Sequence, residues 1–207
     1  MKIYFARHGE SEANVLHVFS NSGQRHPLTE KGVGQAYSLA DALKPTQFAA
    51  IYTSPVLRAV QTSQILSKEL GAPVTISQAL REFDVGELEG RSDEKAWQAH
   101  VSLIKNWRFP ANWDEKHAGG ESYNDMRLRF VPFVDQLIRR NARKDINILA
   151  VSHGGLYMCM LPLIFDNIGF EYALEHPLQN TSMVIGSFYG SKRECLAWGD
   201  LNLEAAR

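Results

Sequence analysis

The sequence predicts an α/β fold built on a mostly parallel sheet, and three observations support this. Residues 3–6 are all apolar, and alternate residues of a strand point to opposite faces. An apolar run of this kind is typical of a strand that is buried on both faces. Residues 146–151 form the strongest strand pattern in the chain, and an apolar helix pattern over 156–165 follows soon after. Residues 182–189 and 194–198 alternate as a hairpin, which we expect to extend the sheet antiparallel.

Capping residues predict the elements that follow the first strand. Residues 11–17 are expected to begin a short helix. Thr29 is the predicted N-cap of a helix over residues 30–43, and a short buried strand over residues 49–53 comes next. Ser54 is then the predicted N-cap of a helix that has a proline at its first position and that Gly71 closes.

The middle of the chain predicts a further strand, a covering segment and a long helix. The strand spans residues 73–77, and the helix spans residues 123–140 with Ser122 as the start of a capping box. Between them, residues 92–120 are first helical and then irregular, and we expect this segment to be a lid or specificity segment. Its aromatic residues are expected to pack in the core or the lid: Trp97, Trp107 and Trp113.

Composition limits the classes of protein to which the chain can belong. Its 207 residues suit one domain, and 44% hydrophobic with 22% charged residues is ordinary for a globular protein. The 22 basic and 23 acidic residues nearly cancel, which argues against nucleic acid or an anionic membrane as the main partner. No apolar stretch has the length of a membrane span, and the chain leads directly into a strand, so we expect a cytoplasmic protein.

Polar side chains follow the two strongest strands, and both sets include a histidine. Residues 3–6 lead into Arg7-His8-Gly9-Glu10, and residues 146–151 lead into Ser152-His153-Gly154-Gly155. If the two strands are parallel neighbours, both imidazoles reach one crevice at the carboxyl edge of the sheet. Arg58, in the first turn of a helix, is well placed if an anion lies beyond the strand end.

This set of residues suits phosphoryl transfer. Arginine offers forked donors that match phosphate oxygens, and a neutral imidazole can attack phosphorus. Two nearby cations, Arg7 and Arg58, lower the pKa of such a histidine and favour its neutral form. A carboxylic acid is then needed to protonate the departing alkoxide, and Glu82 is the candidate because it follows an apolar run.

Motifs along nearly the whole chain resemble those of the histidine phosphatase superfamily, the phosphoglycerate mutase-like proteins. The matching blocks occur in the family's order: Arg7-His8-Gly9-Glu10-Ser11 with Asn14, Pro27-Leu28-Thr29 with Gly32, Ser54-Pro55 with Arg58 and Thr62, Glu82 with Gly86 and Gly90, Gly120-Glu121-Ser122, and Ser152-His153-Gly154. The resemblance implies a three-layer α/β/α sandwich formed as a single domain over residues 1–207.

The resemblance also implies the roles of the site residues. His8 is the nucleophile that becomes phosphohistidine, and Glu82 is the acid that protonates the leaving group and later activates water. The implied phosphate-binding residues are Arg7, Asn14, Arg58, His153 and Gly154. The resemblance implies no metal and no other cofactor.

Two departures from the family pattern bear on the substrate. The loop that starts at Ser20 and Asn21, our predicted substrate contacts, has Arg25-His26 where the family often has an acid. The segment between Glu82 and Gly120 is shorter than in the phosphoglycerate mutases, and its basic residues are scattered. We therefore expect a phosphomonoester hydrolase of the small phosphatase branch, acting on a small phosphorylated metabolite, with a cofactor-dependent phosphoglycerate mutase as the alternative.

Other readings explain fewer residues. A serine hydrolase with Ser152 as nucleophile needs Asp166 and His176 to complete its triad and leaves the first histidine motif unexplained. The scattered histidines lack zinc spacing, and Cys159 and Cys195 are expected to pack as small hydrophobes. A binding protein without turnover is the last rival, and the retained acid Glu82 argues against it. The C-terminal strands offer an edge for a homodimer.

Overall fold

The computed structural model describes residues 1–142 and 144–203. The strands are β1 (Lys2–Arg7), β2 (Phe48–Thr53), β3 (Val74–Ile76), β4 (Asn147–Ser152), β5 (Met183–Tyr189), β6 (Lys192–Trp198) and β7 (Leu201–Asn202). The helices are α1 (Glu12–Val15), α2 (Glu30–Leu43), α3 (Leu57–Leu70), α4 (Glu94–Asn106), α5 (Tyr123–Asn141), α6 (Gly154–Met160) and α7 (Phe170–Glu175).

The strands form one sheet in the order β3-β2-β4-β1-β5-β6-β7. The first four in this order pair in parallel, and β5, β6 and β7 continue the sheet antiparallel. The predicted α/β class and the antiparallel extension are therefore confirmed. In the central pair, β1 lies beside β4 in a register that sets Ile3 opposite Ile148 and Arg7 opposite Ser152.

Apolar side chains of the central strands alternate between two cores, one on each face of the sheet. Ile148 and Ala150 belong to the larger core, and Leu149 and Val151 belong to the smaller one. The larger core includes buried residues of α5, and the smaller core includes buried residues of α2 and α3. Burial on both faces explains why these strands read as continuous apolar runs, and it produces the three layers.

Helix α2 begins and ends as predicted, although it carries two glycines near its start. The hydroxyl of Thr29 accepts a hydrogen bond from the backbone N of Gly32 over 3.0 Å, as an N-cap does. A Cβ on Gly32 would lie 1.9 Å from the carbonyl oxygen of Glu10. The glycine therefore lets the loop after β1 pack directly on the backbone of α2.

Two helix boundaries differ from the prediction. Helix α3 begins at Leu57 with Val56 as its N-cap, whereas Ser54 and a proline at the first position were predicted. The hydroxyl of Ser54 accepts from the backbone N of Val56 in a local turn before the helix. The predicted helix over 156–165 ends earlier: α6 stops at Met160, and a 3-10 turn with a proline, Leu161–Leu163, follows because proline lacks the N–H that would continue the ladder.

Residues 92–120 consist of α4, a 3-10 turn (Pro110–Asn112) and irregular chain, as predicted. Trp107 is fully buried and donates from its ring nitrogen to the carbonyl of Glu115. Trp97 is partly buried and stacks on Phe19, with 4.1 Å between the ring centroids. The expected packing of these tryptophans is confirmed.

Both cysteines are buried and unpaired, which fits their prediction as small apolar residues. Among the helices that the structure describes, none combines the length and the apolarity that crossing a bilayer requires.

Candidate active site

The carboxyl ends of β1 and β4 bring two histidines together. The backbone N of His8 donates to the carbonyl of Ser152 over 3.0 Å, and His153 is the next residue after Ser152. The rings of His8 and His153 meet edge to face, with 5.1 Å between their centroids. The predicted convergence of two strand ends on one crevice is confirmed.

His8 is buried, and both nitrogens of its ring are hydrogen-bonded. Its Nδ1 lies 2.7 Å from the carbonyl oxygen of Gly9, so Nδ1 is the protonated nitrogen that donates. Its Nε2 accepts a hydrogen bond from Nε of Arg58 over 3.0 Å. Burial first, then the charges of Arg58 and Arg7, hold the pKa of His8 well below its ordinary value. His8 is therefore a neutral imidazole whose Nε2 carries the unprotonated lone pair.

Arg58 is a buried cation that connects three parts of the site. Besides His8, its guanidinium donates to the carbonyl of Ser20 over 2.7 Å and to Nδ1 of His153 over 3.3 Å. Burial lowers the pKa of Arg58 to about 10, and the nearby carboxyl of Glu82 opposes this shift. The side chain therefore stays charged at neutral pH.

His153 lies behind this arginine. Its Nε2 donates to the hydroxyl of Ser54 over 2.7 Å, which leaves Nδ1 as the acceptor for Arg58. Burial, followed by the charges of Arg58, His8 and Arg7, holds the pKa of His153 well below its ordinary value. The imidazole is therefore neutral and fixes the orientation of the guanidinium.

Arg7 supplies a second cation with an unused donor. Its Nη1 donates to the carbonyl of Leu178 over 2.7 Å. Its Nε is buried and has no hydrogen-bond partner among the described residues. A buried donor of this kind is normally satisfied, so it fits an anion that binds here. Gly154 provides room for Arg7, because a Cβ there would lie 3.3 Å from Cδ of the arginine.

Asn14 lies at the start of α1 beside the same crevice. Its carboxamide oxygen accepts from the backbone N and the hydroxyl of Ser11, and Nδ2 of Asn180 lies 3.4 Å away from it. Because the oxygen is occupied, the group that Asn14 can offer an anion is its Nδ2 donor. Asn180 also donates to the carbonyl of His8 over 3.1 Å.

Glu82 is a buried carboxyl opposite the cations. One oxygen accepts from the backbone N of Phe83 and the other from the backbone N of Gly155, both over 3.1 Å. Burial raises the pKa of Glu82 against the lowering effect of these bonds and of Arg58. Gly155 permits this close approach, because a Cβ on it would lie 2.9 Å from Oε2.

The segment that carries Glu82 is held by an ion-pair network that sequence reasoning missed. Arg129 donates to the carbonyls of Ala79 and Arg81, each over 2.9 Å, and pairs with Glu121 over 3.0 Å. Glu121 also pairs with the side chain of Arg81. Glu121 belongs to a motif block, whereas Arg129 lies within α5 and has no local sequence signal.

These residues surround a pocket of about 520 Å³. The predicted site residues that line it are Arg7, His8, Asn14, Ser20, Asn21, Arg58, Glu82 and Gly154. His153 is not among the lining residues and contacts the pocket only through Arg58 and His8, so its direct contact with phosphate stays a prediction. The wall also contains aromatic residues that sequence reasoning did not assign to it.

Ser20 and Asn21 line the pocket, and each makes hydrogen bonds within the protein there. Nδ2 of Asn21 donates to the carbonyl of Phe83 over 3.0 Å, and its backbone N donates to Glu89 over 3.0 Å. Ser20 contributes its carbonyl to Arg58. Their contact with substrate stays a prediction.

The residues of a serine-hydrolase relay do not meet. The hydroxyl of Ser152 donates to the carbonyl of Leu80 over 2.5 Å, and Asp166 accepts from the backbone N of Arg193. Nδ1 of His176 lies 2.8 Å from the carbonyl of Tyr172. Within residues 1–142 and 144–203, no three His, Cys, Asp or Glu side chains are grouped as metal ligands.

The structure is a three-layer α/β fold with a His-Arg crevice at the carboxyl edge of its parallel strands. A family model for the histidine phosphatase superfamily, branch 1, matches residues 3–201. The chain belongs to this superfamily, and the resemblance drawn from its motifs is confirmed.

Curated relatives include mutases and a bisphosphatase. The chain is 33% identical over 195 residues to a 2,3-bisphosphoglycerate-dependent phosphoglycerate mutase of Brucella canis, covering 88% of this chain and 89% of the mutase. It is 30% identical over 207 residues to 6-phosphofructo-2-kinase/fructose-2,6-bisphosphatase 1 of Homo sapiens. That match covers 98% of this chain but spans only 40% of the length of the human protein.

Solved structures with the same fold include a mycobacterial glucosyl-3-phosphoglycerate phosphatase in complex with VO3. It has a TM-score of 0.82 and 24% identity, covering 96% of this chain and 98% of the other. YhfR of Bacillus stearothermophilus has a TM-score of 0.81 and 26% identity, and the match covers 97% of this chain and 98% of YhfR.

Proposed function

We propose that this protein is a phosphomonoester hydrolase that works through a phosphohistidine intermediate on a small phosphorylated metabolite. The observation that carries the proposal is the arrangement around His8: a neutral imidazole with its Nε2 lone pair beside the buried Arg58 and the partly buried Arg7, and a nearby buried carboxyl whose pKa is raised. Membership of the superfamily and the phosphatases among the similar structures support it.

The first half-reaction moves the phosphoryl group to His8. Nε2 attacks phosphorus while the bond from phosphorus to the ester oxygen breaks, and the protonated carboxyl of Glu82 gives its proton to the departing oxygen. Arg58 gives up its bond to Nε2 and, with Arg7, binds the phosphoryl oxygens as charge builds on them. The bond from Nδ1 to the carbonyl of Gly9 holds the ring in position and stabilises the positive charge that it gains.

The second half-reaction restores the enzyme. The carboxylate of Glu82 takes a proton from water as the water oxygen attacks phosphorus, and the bond between phosphorus and Nε2 breaks. Inorganic phosphate leaves, and both His8 and Glu82 return to their starting protonation states. Asn14 and Gly154 complete the phosphate pocket in this proposal, and His153 fixes Arg58.

We propose that turnover needs neither a metal nor an organic cofactor. Arg7 and Arg58 supply the positive charge that metal ions supply in many phosphoryl-transfer sites. Activity that survives extensive treatment with a chelator supports this, and activity restored only by an added divalent cation contradicts it. A cytoplasmic location and the absence of nucleic-acid or membrane partners stay predictions, as does a homodimer.

A cofactor-dependent phosphoglycerate mutase is the second candidate, favoured by the 33% identity to the Brucella canis mutase. The pocket argues against it. A second anionic group on the substrate needs basic partners, yet Lys95, Lys105 and Arg108 do not line the pocket. Turnover of 3-phosphoglycerate primed with 2,3-bisphosphoglycerate distinguishes the two candidates.

The test is phosphate release from a panel of phosphomonoesters in the presence of chelator. We expect release by the natural chain and a loss of about a thousandfold or more in His8→Ala. His176→Gln is the matched control, because it removes the histidine that a serine-hydrolase relay needs and leaves the pocket intact. Wild-type activity in His8→Ala overturns the mechanism, and mutase turnover without net phosphate release overturns the choice of branch.

A further inference from the structure

Beyond the phosphate end, one wall of the pocket is aromatic. Phe83 and His100 stack in parallel with 5.3 Å between their centroids, and Phe19 lies 4.8 Å from His100 and 4.1 Å from Trp97. Phe19, Phe83 and His100 are buried, and Trp97 is partly buried. The wall is therefore preformed by ring-to-ring packing, and it presents ring surface to whatever follows the phosphate.

Aliphatic side chains continue this lining. Val101 and Ile104 extend it along α4, Met158 comes from α6, and Pro177 and Leu178 come from the loop after α7. Hydrophobic and aromatic walls with a few polar groups are typical of a site that binds an apolar ligand part.

Positive charge in the pocket is confined to the phosphate end. Of the lining residues that the structure describes, Arg7 and Arg58 are the only arginines, and none is lysine. His100 adds no charge at neutral pH, because burial and then the neighbouring His117 lower its pKa to about 4. His17 lines the pocket as an exposed side chain.

Two basic residues of the α4 region line an adjacent depression, which shares Val101, Ile104 and Met158 with the pocket. Lys105 and Arg108 line a surface depression with Glu171, and Arg108 lies 3.6 Å from the carboxylate of Glu171. A second phosphate or a carboxylate on the substrate would therefore meet no arginine or lysine among the described lining residues other than Arg7 and Arg58. Burial of an unpaired anion in such surroundings is strongly unfavourable.

We propose that the substrate is a phosphate monoester with the phosphate as its sole anionic group and a flat, largely apolar ring system as its alcohol part. This inference rests on the proposed function and names the substrate class of the same site. The phosphate lies between Arg7 and Arg58, and the ring system packs along Trp97 and Val101.

The first test compares 1-naphthyl phosphate with glycerol 3-phosphate, 3-phosphoglycerate and fructose 2,6-bisphosphate. We expect kcat/KM for the naphthyl ester to exceed that of the others by about tenfold or more, from stacking and apolar burial. The same ligands are then bound to His8→Ala by calorimetry, which measures the preference without chemistry. This separates the two proposals: absent turnover with a retained preference for the naphthyl ester overturns the hydrolase and keeps the substrate class.

The second test places a cation in the wall. Val101→Lys is expected to lower kcat/KM for naphthyl phosphate about fivefold and to raise it for fructose 2,6-bisphosphate. Ser102→Lys is the matched control, since the neighbouring residue adds the same charge to the same helix outside this pocket. Equal changes in both variants mean a general charge effect and overturn the assignment of this wall.

The third test removes the ring of Trp97. Trp97→Phe keeps a ring and should keep the preference for the naphthyl ester, whereas Trp97→Ala should lose about five- to tenfold of it. Thermal unfolding of both variants identifies any loss of folded protein. A preference for the bisphosphate or for 3-phosphoglycerate in the natural chain, or an unchanged naphthyl preference in folded Trp97→Ala, overturns the inference.

Discussion

Nε of Arg58 donates a hydrogen bond to Nε2 of His8 across 3.0 Å, inside the protein. The atom that attacks phosphorus in our proposal is therefore the atom that a fixed cation already contacts. This contact disfavours a proton on Nε2, because the proton would face the guanidinium, and it aligns the imidazole before substrate arrives.

The first prediction concerns the pH dependence that this contact imposes. Burial has the largest lowering effect on the pKa of His8, followed by the charges of Arg58 and Arg7. The imidazole therefore stays neutral at pH values below 6.5, the ordinary pKa of histidine. Arg58→Gln removes the charge that has the larger effect on the pKa of His8. We expect the pKa of His8 to rise toward 6.5 and the acid limb of kcat/KM to move to higher pH, with a loss of about a hundredfold or more in rate.

Histidine NMR titration and pH–rate profiles measure both effects. Arg7→Gln is the comparison variant, and it should shift the pKa of His8 in the same direction by a smaller amount. A pKa of His8 that falls or stays fixed in Arg58→Gln contradicts the electrostatic account.

The second prediction concerns Glu82 as the acid. Burial raises the pKa of Glu82 above its ordinary value of 4.5. The carboxyl therefore keeps its proton at pH values above 4.5 and loses it as the pH rises further. Glu82→Gln should slow hydrolysis of alkyl phosphates by about a hundredfold or more. It should affect p-nitrophenyl phosphate less, since that leaving group needs little protonation.

Steady-state rates on both substrates, measured across pH, test whether Glu82 protonates the leaving group. The alkaline limb of the alkyl phosphate profile should be absent in Glu82→Gln. Equal losses on the two substrates would assign Glu82 a positioning role instead.

The third prediction concerns stability and rests on His100. Its pKa in the folded protein is about 4, below the ordinary 6.5, so only the unfolded chain binds a proton there between these values. The free energy of unfolding therefore falls as the pH drops through this window, by about 1.4 kcal/mol per pH unit from this residue. Above pH 6.5 the residue has no such effect.

His100→Phe keeps the stacked ring and removes the titration. Urea unfolding at about pH 7.5 and about pH 5 should show a smaller loss in the variant, by about 2 kcal/mol. The variant should still lose some stability at the lower pH, because it retains His8 and His153, whose pKa values are also lowered. The same loss in both proteins would contradict the assignment.

Sequence reasoning grouped the residues of the proposed phosphate end correctly in space, because each of them lies in a local sequence pattern. A buried strand followed by His and Gly identifies His8 and His153, and the parallel pairing of β1 with β4 then brings the two together. The start of α3 was predicted wrongly, because the local sequence does not show which partner the hydroxyl of Ser54 binds. Ser54 looks like a helix cap in sequence, but its hydroxyl interacts with His153 and a local turn.

The apolar end could not be found in this way. Its rings come from distant parts of the chain, and Phe19, Phe83 and His100 meet only after α4 packs across the site. In the sequence, each of these residues taken alone is indistinguishable from an ordinary core residue. Arg129 was missed for the same reason, because only the fold brings its guanidinium to Glu121 and the backbone before Glu82.

The last prediction tests how closely Glu82 must be held. The backbone N of Gly155 donates to Oε2 of Glu82, and a Cβ on Gly155 would lie 2.9 Å from that oxygen and from the ring of Phe83. Gly155→Ala therefore has to displace the carboxyl. We expect kcat on alkyl phosphates to fall about tenfold to a hundredfold, since a shift of about 1 Å in a positioned group has an effect of this size.

Gly34→Ala is the matched control, because a Cβ there meets nothing within 4 Å and the residue is exposed in α2. It should leave kcat unchanged and raise the free energy of unfolding by about 0.5–1 kcal/mol. In Gly155→Ala, a loss larger on alkyl phosphates than on p-nitrophenyl phosphate indicates a displaced acid. An equal loss on both indicates that Phe83 moved and altered the pocket wall, and an unchanged kcat contradicts the tight fit.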